Sequence, residues 1–224
     1  MSTVVIVQAR MGSKRFPGKI LAPLKTEGIA RPVLAHVLDR VSKIPKVDGI
    51  ILATPRSADH EQAWAIAEAY HVEVHKGKEQ NVLDRYYQAA TDHGFGGPGD
   101  VIVRVTADCP LIDPRVCHEV ITLRAAQRAD YCTNVMPRTY PKGYDCEAFT
   151  FECLEAAWCS ASSAYEREHV TPWMQQTEGL SRANLRQKVD MSDVNFCVDY
   201  PGDIARIELL ITTTKGGPLV GKLQ

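Results

Sequence analysis

Residues 8–19 read Gln-Ala-Arg-Met-Gly-Ser-Lys-Arg-Phe-Pro-Gly-Lys and directly follow a short apolar run. They set four cations (Arg10, Lys14, Arg15 and Lys19) among Gly12, Ser13 and Gly18. A glycine-bearing loop whose backbone N–H groups and cations converge is suited to a polyphosphate. The P-loop pattern GxxxxGK[ST] does not fit: five residues separate Gly12 from Gly18, and Ile20 stands where a magnesium-binding hydroxyl is needed. The loop holds no GxGxxG either. The alternative is a solvated basic loop in which Pro17 and Gly18 only turn the chain. Its place at the end of a strand favours the anion site, because ligands of α/β sheets gather at the carboxyl ends of strands.

Two acids share one form. Asp108 follows an apolar strand and precedes Cys109-Pro110; Asp199 follows Val198 and precedes Tyr200-Pro201. A carboxylate fixed at a strand end suits a hard cation such as Mg2+, which takes one or two carboxylates plus substrate phosphates. Helix capping is the competing role for both, and is the one expected of Asp113 and Asp203. Arg104 interrupts an otherwise apolar strand, so it must reach either the cleft or a buried acid.

The remaining candidates are less specific. Asp84-Arg85 opens a helix and reads, on residue types alone, as a first-turn acid beside a surface cation. Lys142 precedes Asp145 and Glu147, which alternate on one strand face. Glu166 and His169 lie at a helix start, where capping and ligand contacts are both open, and no second histidine has metal-ligand spacing to His169. His60, His71, His75, His93 and His118 read as structural or surface residues, and Trp64, Trp158 and Trp173 as core. Cys109 has no base at recognisable spacing and needs no role beyond packing.

The elements that would position these groups alternate. The β-branched run 4–7 is a strand buried on both faces. A helix is expected over 33–42, a strand over 49–54, a helix over 58–70 capped by Asp59, and a strand over 72–75. Asn81 caps the next helix, 94–100 is a turn, 101–105 a strand, and 115–128 a helix. Strand–helix–strand repeats predict an α/β fold with a mainly parallel sheet, a Rossmann-like three-layer sandwich. Beyond residue 130 the pattern loosens, with helices expected over 151–158, 165–176 and 202–211 and a last strand over 195–198. Residues 212–224 lack periodicity and read as a loose tail.

The 224 residues carry 26 basic and 27 acidic side chains and are 45% hydrophobic, an ordinary globular composition large enough for one domain without metal or disulfide support. The balanced charge argues against a nucleic-acid binder. No apolar stretch has the length of a membrane span. Seven scattered cysteines with no CxxC pair suit a reducing, cytoplasmic setting.

The motifs QARMGSKRFPGK (8–19), NVLDRYYQAA (81–90), VIVRVTADCPLIDP (101–114), TNVMPRTYPKGYDCEAF (133–149), YEREHVTPW (165–173) and VDYPGD (198–203) together resemble the cytidylyltransferases that activate acidic sugars. The likeness is greatest to the branch named after spore coat polysaccharide biosynthesis protein SpsF. It runs from residue 3 to about 210. The resemblance implies the nucleotide-diphospho-sugar transferase fold and transfer of CMP from CTP to a small acceptor, with pyrophosphate released. It also implies a single domain over 1–211, with 133–175 as a small acceptor and dimerisation lobe and a homodimer as the assembly. By resemblance, Asp108 and Asp199 hold Mg2+, and Arg10, Arg15 and Lys19 hold the phosphates. Gln8 and Ala9 read the base through backbone groups, while Gly12, Ser13, Asp84, Arg85 and Arg104 line the nucleotide. Lys142, Asp145, Glu147, Glu166 and His169 meet the acceptor. Sugar-acid branches usually have Gln-Gly before the first acid; Thr106-Ala107 stands here, which bears on the acceptor more than on the chemistry. A metal-dependent glycosyltransferase of the same fold would want D-x-D, against Thr106-Ala107-Asp108. A nucleotide sensor without catalysis is the reading from another class.

Overall fold

The computed structural model describes residues 1–214. One seven-stranded sheet organises the chain. Its strands are β1 (Thr3–Gln8), β4 (Gly49–Pro55), β5 (Glu73–Gly77), β6 (Val101–Thr106), β7 (Tyr131–Thr133), β8 (Glu147–Thr150) and β9 (Arg182–Asn184), in the spatial order β5-β4-β1-β6-β8-β7-β9. A separate hairpin pairs β2 (Pro23–Thr26) with β3 (Ile29–Pro32). β5, β4, β1 and β6 are parallel, and β8 runs antiparallel to both of its neighbours, β6 and β7.

Alternation along β1 builds both core layers. Val5 and Val7 face helices α1 (Val33–Val41), α2 (Glu61–Ala69) and α4 (Pro114–Gln127), packing with Leu34, Leu38, Ala63 and Val120. Val4 and Ile6 face α3 (Val82–Asp92), α5 (Phe151–Ser160) and α7 (Pro172–Gln176), packing with Leu83, Tyr86, Leu154 and Met174. All four β1 side chains are fully buried, as a strand covered on both faces requires. This three-layer sandwich, with helices on both faces of a mainly parallel sheet, is the expected fold class.

The chain moves from β1 outward to β4 and β5, then returns to place β6 on the other side of β1. The order therefore reverses between β1 and β6, where the crevice of such sheets opens. Register pairs Gln8 with Thr106, so both strands end at one level and their following loops leave side by side.

Several expectations are corrected. Asp59 caps no helix: residues 58–60 form a 3-10 turn whose N-cap is Ser57, and the Asp59 carboxylate accepts from Ser57 Oγ and His60 Nδ1. The single helix expected over 165–176 is two, α6 (Ala164–His169) and α7, because Pro172 has no N–H to continue the ladder and Val170 turns left-handed at φ 71°. Residues 195–198 make no strand; Asn195 forms one bridge with Lys142, and Phe196 and Val198 are apolar because they pack with Tyr144, Leu24 and Ile207. The last helix, α8, runs Gly202–Thr214, so residues 212–214 of the expected tail are helical, and residues 215–224 lie outside the described residues. The hairpin and β9 escaped the periodicity reading, since strands of three or four residues carry too few alternations to register.

Candidate active site

A cleft of about 550 Å3 opens at the carboxyl ends of β1 and β6. Five segments converge on it: the loop after β1, the turn after β6, the start of α3, the end of α6, and the segment ahead of α8. Among its lining residues are Gln8, Ala9, Arg10, Gly12, Ser13, Arg15, Lys19, Arg85, Asp108, His169 and Asp199, all expected from the sequence.

The first loop folds back on its own backbone. Met11 carbonyl accepts from Ser13 N and Gly18 N at 2.9 and 3.0 Å, and Gly18 adopts φ +70°, a region glycine enters at no steric cost. Met11 N in turn donates to His60 Nε2 at 3.2 Å, while Asp59 holds the other ring nitrogen at 2.7 Å. That relay fixes the His60 tautomer with its proton on Nδ1, and makes the buried His60 a support of the loop.

At the cleft floor, Lys19 Nζ donates to Asp108 Oδ2 at 2.6 Å and to Asp199 Oδ1 at 3.1 Å. Arg15 reaches the same Asp199 oxygen at 2.5 Å and lies over the Tyr200 ring. Burial by itself raises the Asp108 pKa, but the adjacent Lys19 ammonium more than offsets it and holds the carboxyl below its usual range. Lys19 mirrors this: burial lowers its pKa, the two carboxylates raise it further, and it stays an ammonium. One cation bridging two carboxylates shows that both acids aim at a common point, the arrangement a hard divalent cation needs. Among the described residues no cluster of three or more His, Cys, Asp or Glu is assembled. Two carboxylates with substrate phosphates as further ligands is nonetheless the usual magnesium set, so the donors present fit that ion.

Arg85 is 1% exposed and is one of the residues that line the cleft. Nη1 donates to the Lys78 carbonyl at 2.7 Å, and among the described residues Nε has no partner and no carboxylate pairs with the guanidinium. Desolvation lowers its pKa to about 10, with Arg10 adding repulsion. A Cβ on Gly77 would come within 2.9 Å of Arg85 Cγ, so a glycine there makes room for this side chain.

The other expected residues lie elsewhere. Arg104 and Glu147 form a buried ion pair between adjacent strands, Arg104 also bonding Gln8 Oε1 at 3.1 Å. Glu147 further accepts from Tyr131 OH and Gln175, and although burial raises its pKa, Arg104 brings it below the ordinary value. Neither side chain faces the cleft. Asp84 accepts from Trp158 Nε1 at 2.9 Å on the far side of α3. Asp145 is held by both Arg138 Nη atoms at 2.5 and 2.7 Å. Glu166 closes a capping box with Ser163 at the start of α6. Lys142 is exposed, its backbone tied to Val194 and Phe196. The Ala9 N–H, expected to face a base, donates to the Ala53 carbonyl at 3.1 Å, and the Gln8 carbonyl accepts from Ala107 N, so both are committed to the sheet.

Glu168 is not singled out in the sequence, His60 reads there as structural or surface, and Lys14 only as one of the loop's four cations. Glu168 lines the cleft and pairs with Arg10 at 3.1 Å, joining α6 to the first loop. Its signal was present in Glu-Arg-Glu-His, but capping explains such a run equally well. A second hollow of about 650 Å3 lies by α1 and α4. Its Lys43 and Arg115 are neutralised by Asp39 and Asp113, and it lacks the convergent strand-end carboxylates of the smaller cleft.

The comparisons agree with this geometry. The family model described as cytidylyltransferase matches residues 4–208. An uncharacterized protein of Methanocaldococcus jannaschii is 36% identical over 226 residues, covering 100% of this chain and 84% of that protein. The spore coat polysaccharide biosynthesis protein SpsF of Bacillus subtilis is 29% identical over 183 residues, covering 80% of this chain and 72% of its own length. A solved cytidylyltransferase from Leptospira borgpetersenii superposes with a TM-score of 0.90 at 29% identity, over 99% of this chain and 92% of that one. A CMP:2-keto-3-deoxy-manno-octonic acid synthetase solved with CTP shares the fold at a TM-score of 0.70 and 16% identity, over 96% of this chain and 100% of that one. With its family model spanning nearly all of the three-layer domain and the cleft at the β1–β6 switch point, the chain belongs to the cytidylyltransferase family.

Proposed function

We propose that the β1–β6 cleft binds CTP with magnesium and transfers CMP to a small acidic acceptor, releasing pyrophosphate. The observation that carries this reading is the convergence of Asp108 and Asp199 on the Lys19 ammonium at the floor of a cleft rich in cations. Bound on Asp108 and Asp199, magnesium would neutralise charge at the phosphate under attack and orient it.

Phosphoryl transfer asks for positioning and charge neutralisation more than covalent help. Lys19, Arg15 and Arg10 each stand on a carboxylate in the free chain and are placed to pass to phosphate oxygens. Arg85 is different. A buried guanidinium without a carboxylate carries an unrecovered desolvation cost, and a nucleotide oxygen in the cleft would offset it. Glu168 and His169, at the end of α6, line the rim, where the acceptor would enter. The names of the similar proteins, a polysaccharide biosynthesis protein and a keto-deoxy sugar acid synthetase, support an acidic sugar as the acceptor class.

The test is pyrophosphate release with magnesium and each of the four nucleoside triphosphates, against a panel of sugar acids and sugar phosphates. Release with CTP and one acidic acceptor is the expected result. Turnover with a purine nucleotide alone, or no nucleotide binding by calorimetry, would overturn the assignment.

A further inference from the structure

The described cysteines are all free thiols, and most are placed where chemistry cannot reach them. Cys117, Cys132, Cys146 and Cys153 are buried in the helix–sheet layers, and Cys159 is exposed. Cys117 and Cys146 are paired with each other but both are buried, whereas Cys109 and Cys197 form a pair with one member partly open to solvent. Their sulfurs are 3.5 Å apart, joining two segments far separated in sequence. Cys109 directly follows Asp108, and Cys197 stands two residues before Asp199. The Val198 N–H donates to the Asp108 carbonyl at 2.9 Å, so the two backbones are already held side by side. Cys109 is 3% exposed, while Cys197 is partly open to solvent.

We infer that Cys109 and Cys197 form a dithiol that closes into a disulfide by exchange with a low-molecular-weight disulfide, stapling the Asp108 turn to the Asp199 segment. A disulfide brings sulfurs to about 2.05 Å, so the pair must approach by about 1.5 Å, a shift within reach of two short side chains on adjacent backbones. The exchange balances. Cys197, the accessible thiol, loses its proton and attacks one sulfur of the small disulfide; the displaced thiol takes up a proton. Cys109 then loses its proton and attacks the Cys197 sulfur of the mixed disulfide, releasing the second small thiol. Two protein thiols are oxidised to one disulfide, and one small disulfide is reduced to two thiols.

The cross-link displaces residues adjoining both carboxylates, and near-attack geometry is sensitive to shifts of this size. That consequence for turnover rests on the proposed nucleotidyltransfer, whereas the cross-link itself does not.

The experiment treats the full chain with glutathione disulfide, alkylates the remaining thiols and maps the peptides by mass. The expected product is a peptide pair joined through Cys109 and Cys197, with Cys117, Cys132, Cys146 and Cys153 unmodified and Cys159 reporting that the reagent acted. In parallel, CTP turnover falls by roughly tenfold or more on oxidation and returns with dithiothreitol, while Cys197→Ser keeps its turnover under the same treatment. Cys109→Ala serves as the second variant, and neither variant is needed for the mapping. Alkylation of both Cys109 and Cys197 after treatment overturns the inference, as does a mixed disulfide that persists on Cys197 or a link through other cysteines. A mapped link with unchanged turnover would overturn the regulatory consequence alone. A reduced chain without turnover would count against the proposed function and leave the mapping to decide the dithiol.

Discussion

Asp108 and Asp199 share one cation: the Lys19 ammonium lies 2.6 Å from the first carboxylate and 3.1 Å from the second. The meeting is set by backbone. Val198 N donates to the Asp108 carbonyl, and the Asp203 carboxylate accepts from the amides of Asp199 and Tyr200 at 2.8 Å each, fixing the turn ahead of α8. Lys19 thus sits between the two acids, the place proposed for magnesium.

If the two acids hold magnesium, Asp108→Asn and Asp199→Asn should each lower CTP-dependent pyrophosphate release by about 10²- to 10³-fold, the scale of losing one preorganised electrostatic contact. Raising magnesium should recover part of the activity of each variant, because the deficit includes metal affinity. Circular dichroism at the parent's level separates this from misfolding. Undiminished turnover in either variant would remove that acid from the mechanism.

The Lys19–Asp108 pair makes a signed prediction about acid stability. Asp108 has a depressed pKa, so its contribution to stability is full above the ordinary carboxylate range and is lost as pH falls through the folded-state value. In Lys19→Met the largest opposition to burial is gone, and only the hydrogen bonds at Asp108 still favour its charged form. The folded variant then holds the Asp108 proton more tightly than the folded parent, so it loses less stability to acid. In chelator, the variant should melt below the parent at pH 7, with the gap narrowing as pH falls through about pH 4. A gap that is constant across this range would show that Lys19 does not set the Asp108 charge.

Arg85 separates affinity from stability. Its folded-state pKa is lowered to about 10 by desolvation, so the charged form costs the ligand-free fold stability at all lower pH. Arg85→Met should therefore leave the melting temperature of the free chain unchanged or raised. The same change should weaken CTP binding by roughly ten- to a hundredfold, the worth of a charge-assisted hydrogen bond. Differential scanning fluorimetry with and without CTP reads both at once. A variant that is destabilised but binds CTP normally would make Arg85 a structural residue.

Legibility followed the range of each signal. Residues 4–7 and, Arg104 apart, 101–105 are plain in the sequence because a strand covered on both faces is a near-continuous apolar run. Asn81 and Asp113 were readable as caps because an N-cap acts within three residues, and both side chains accept the expected amides. Asp108 and Asp199 were found because both combine an apolar run, an acid and a proline. Long-range partners left no such trace. The apolar strand around Arg104 marks it as reaching a cleft or a buried acid without saying which, and Arg85, which reads as a surface cation, is buried and meets no carboxylate among the described residues. Glu147 and Asp145 read as acceptor contacts by resemblance alone, and the two carboxylates are taken by different arginines. Phe196 and Val198 read as a strand because packing into a side cluster and pairing in a sheet select the same residue types.

The Arg104–Glu147 pair tests that distinction. Arg104 Nη1 donates to Glu147 Oε2 between adjacent strands, and the acid also takes Tyr131 OH and Gln175. Removing one member leaves the other charged and buried, a loss of about 3–5 kcal/mol. Arg104→Met and Glu147→Gln should each lower the melting temperature strongly. Replacing the whole pair by apolar side chains of similar volume is often neutral or better, so Arg104→Met with Glu147→Leu should recover most of the loss. The Tyr131 hydroxyl would still lack its acceptor, while Gln175 keeps Tyr131 OH and Thr171 Oγ1, and this keeps the recovery incomplete. If Glu147 instead met the acceptor, Glu147→Gln would raise the acceptor KM while the fold stayed as stable as the parent. Thermal melts alongside KM for the acceptor separate the two, and a strongly lowered melting temperature with an unchanged KM is the outcome this geometry requires.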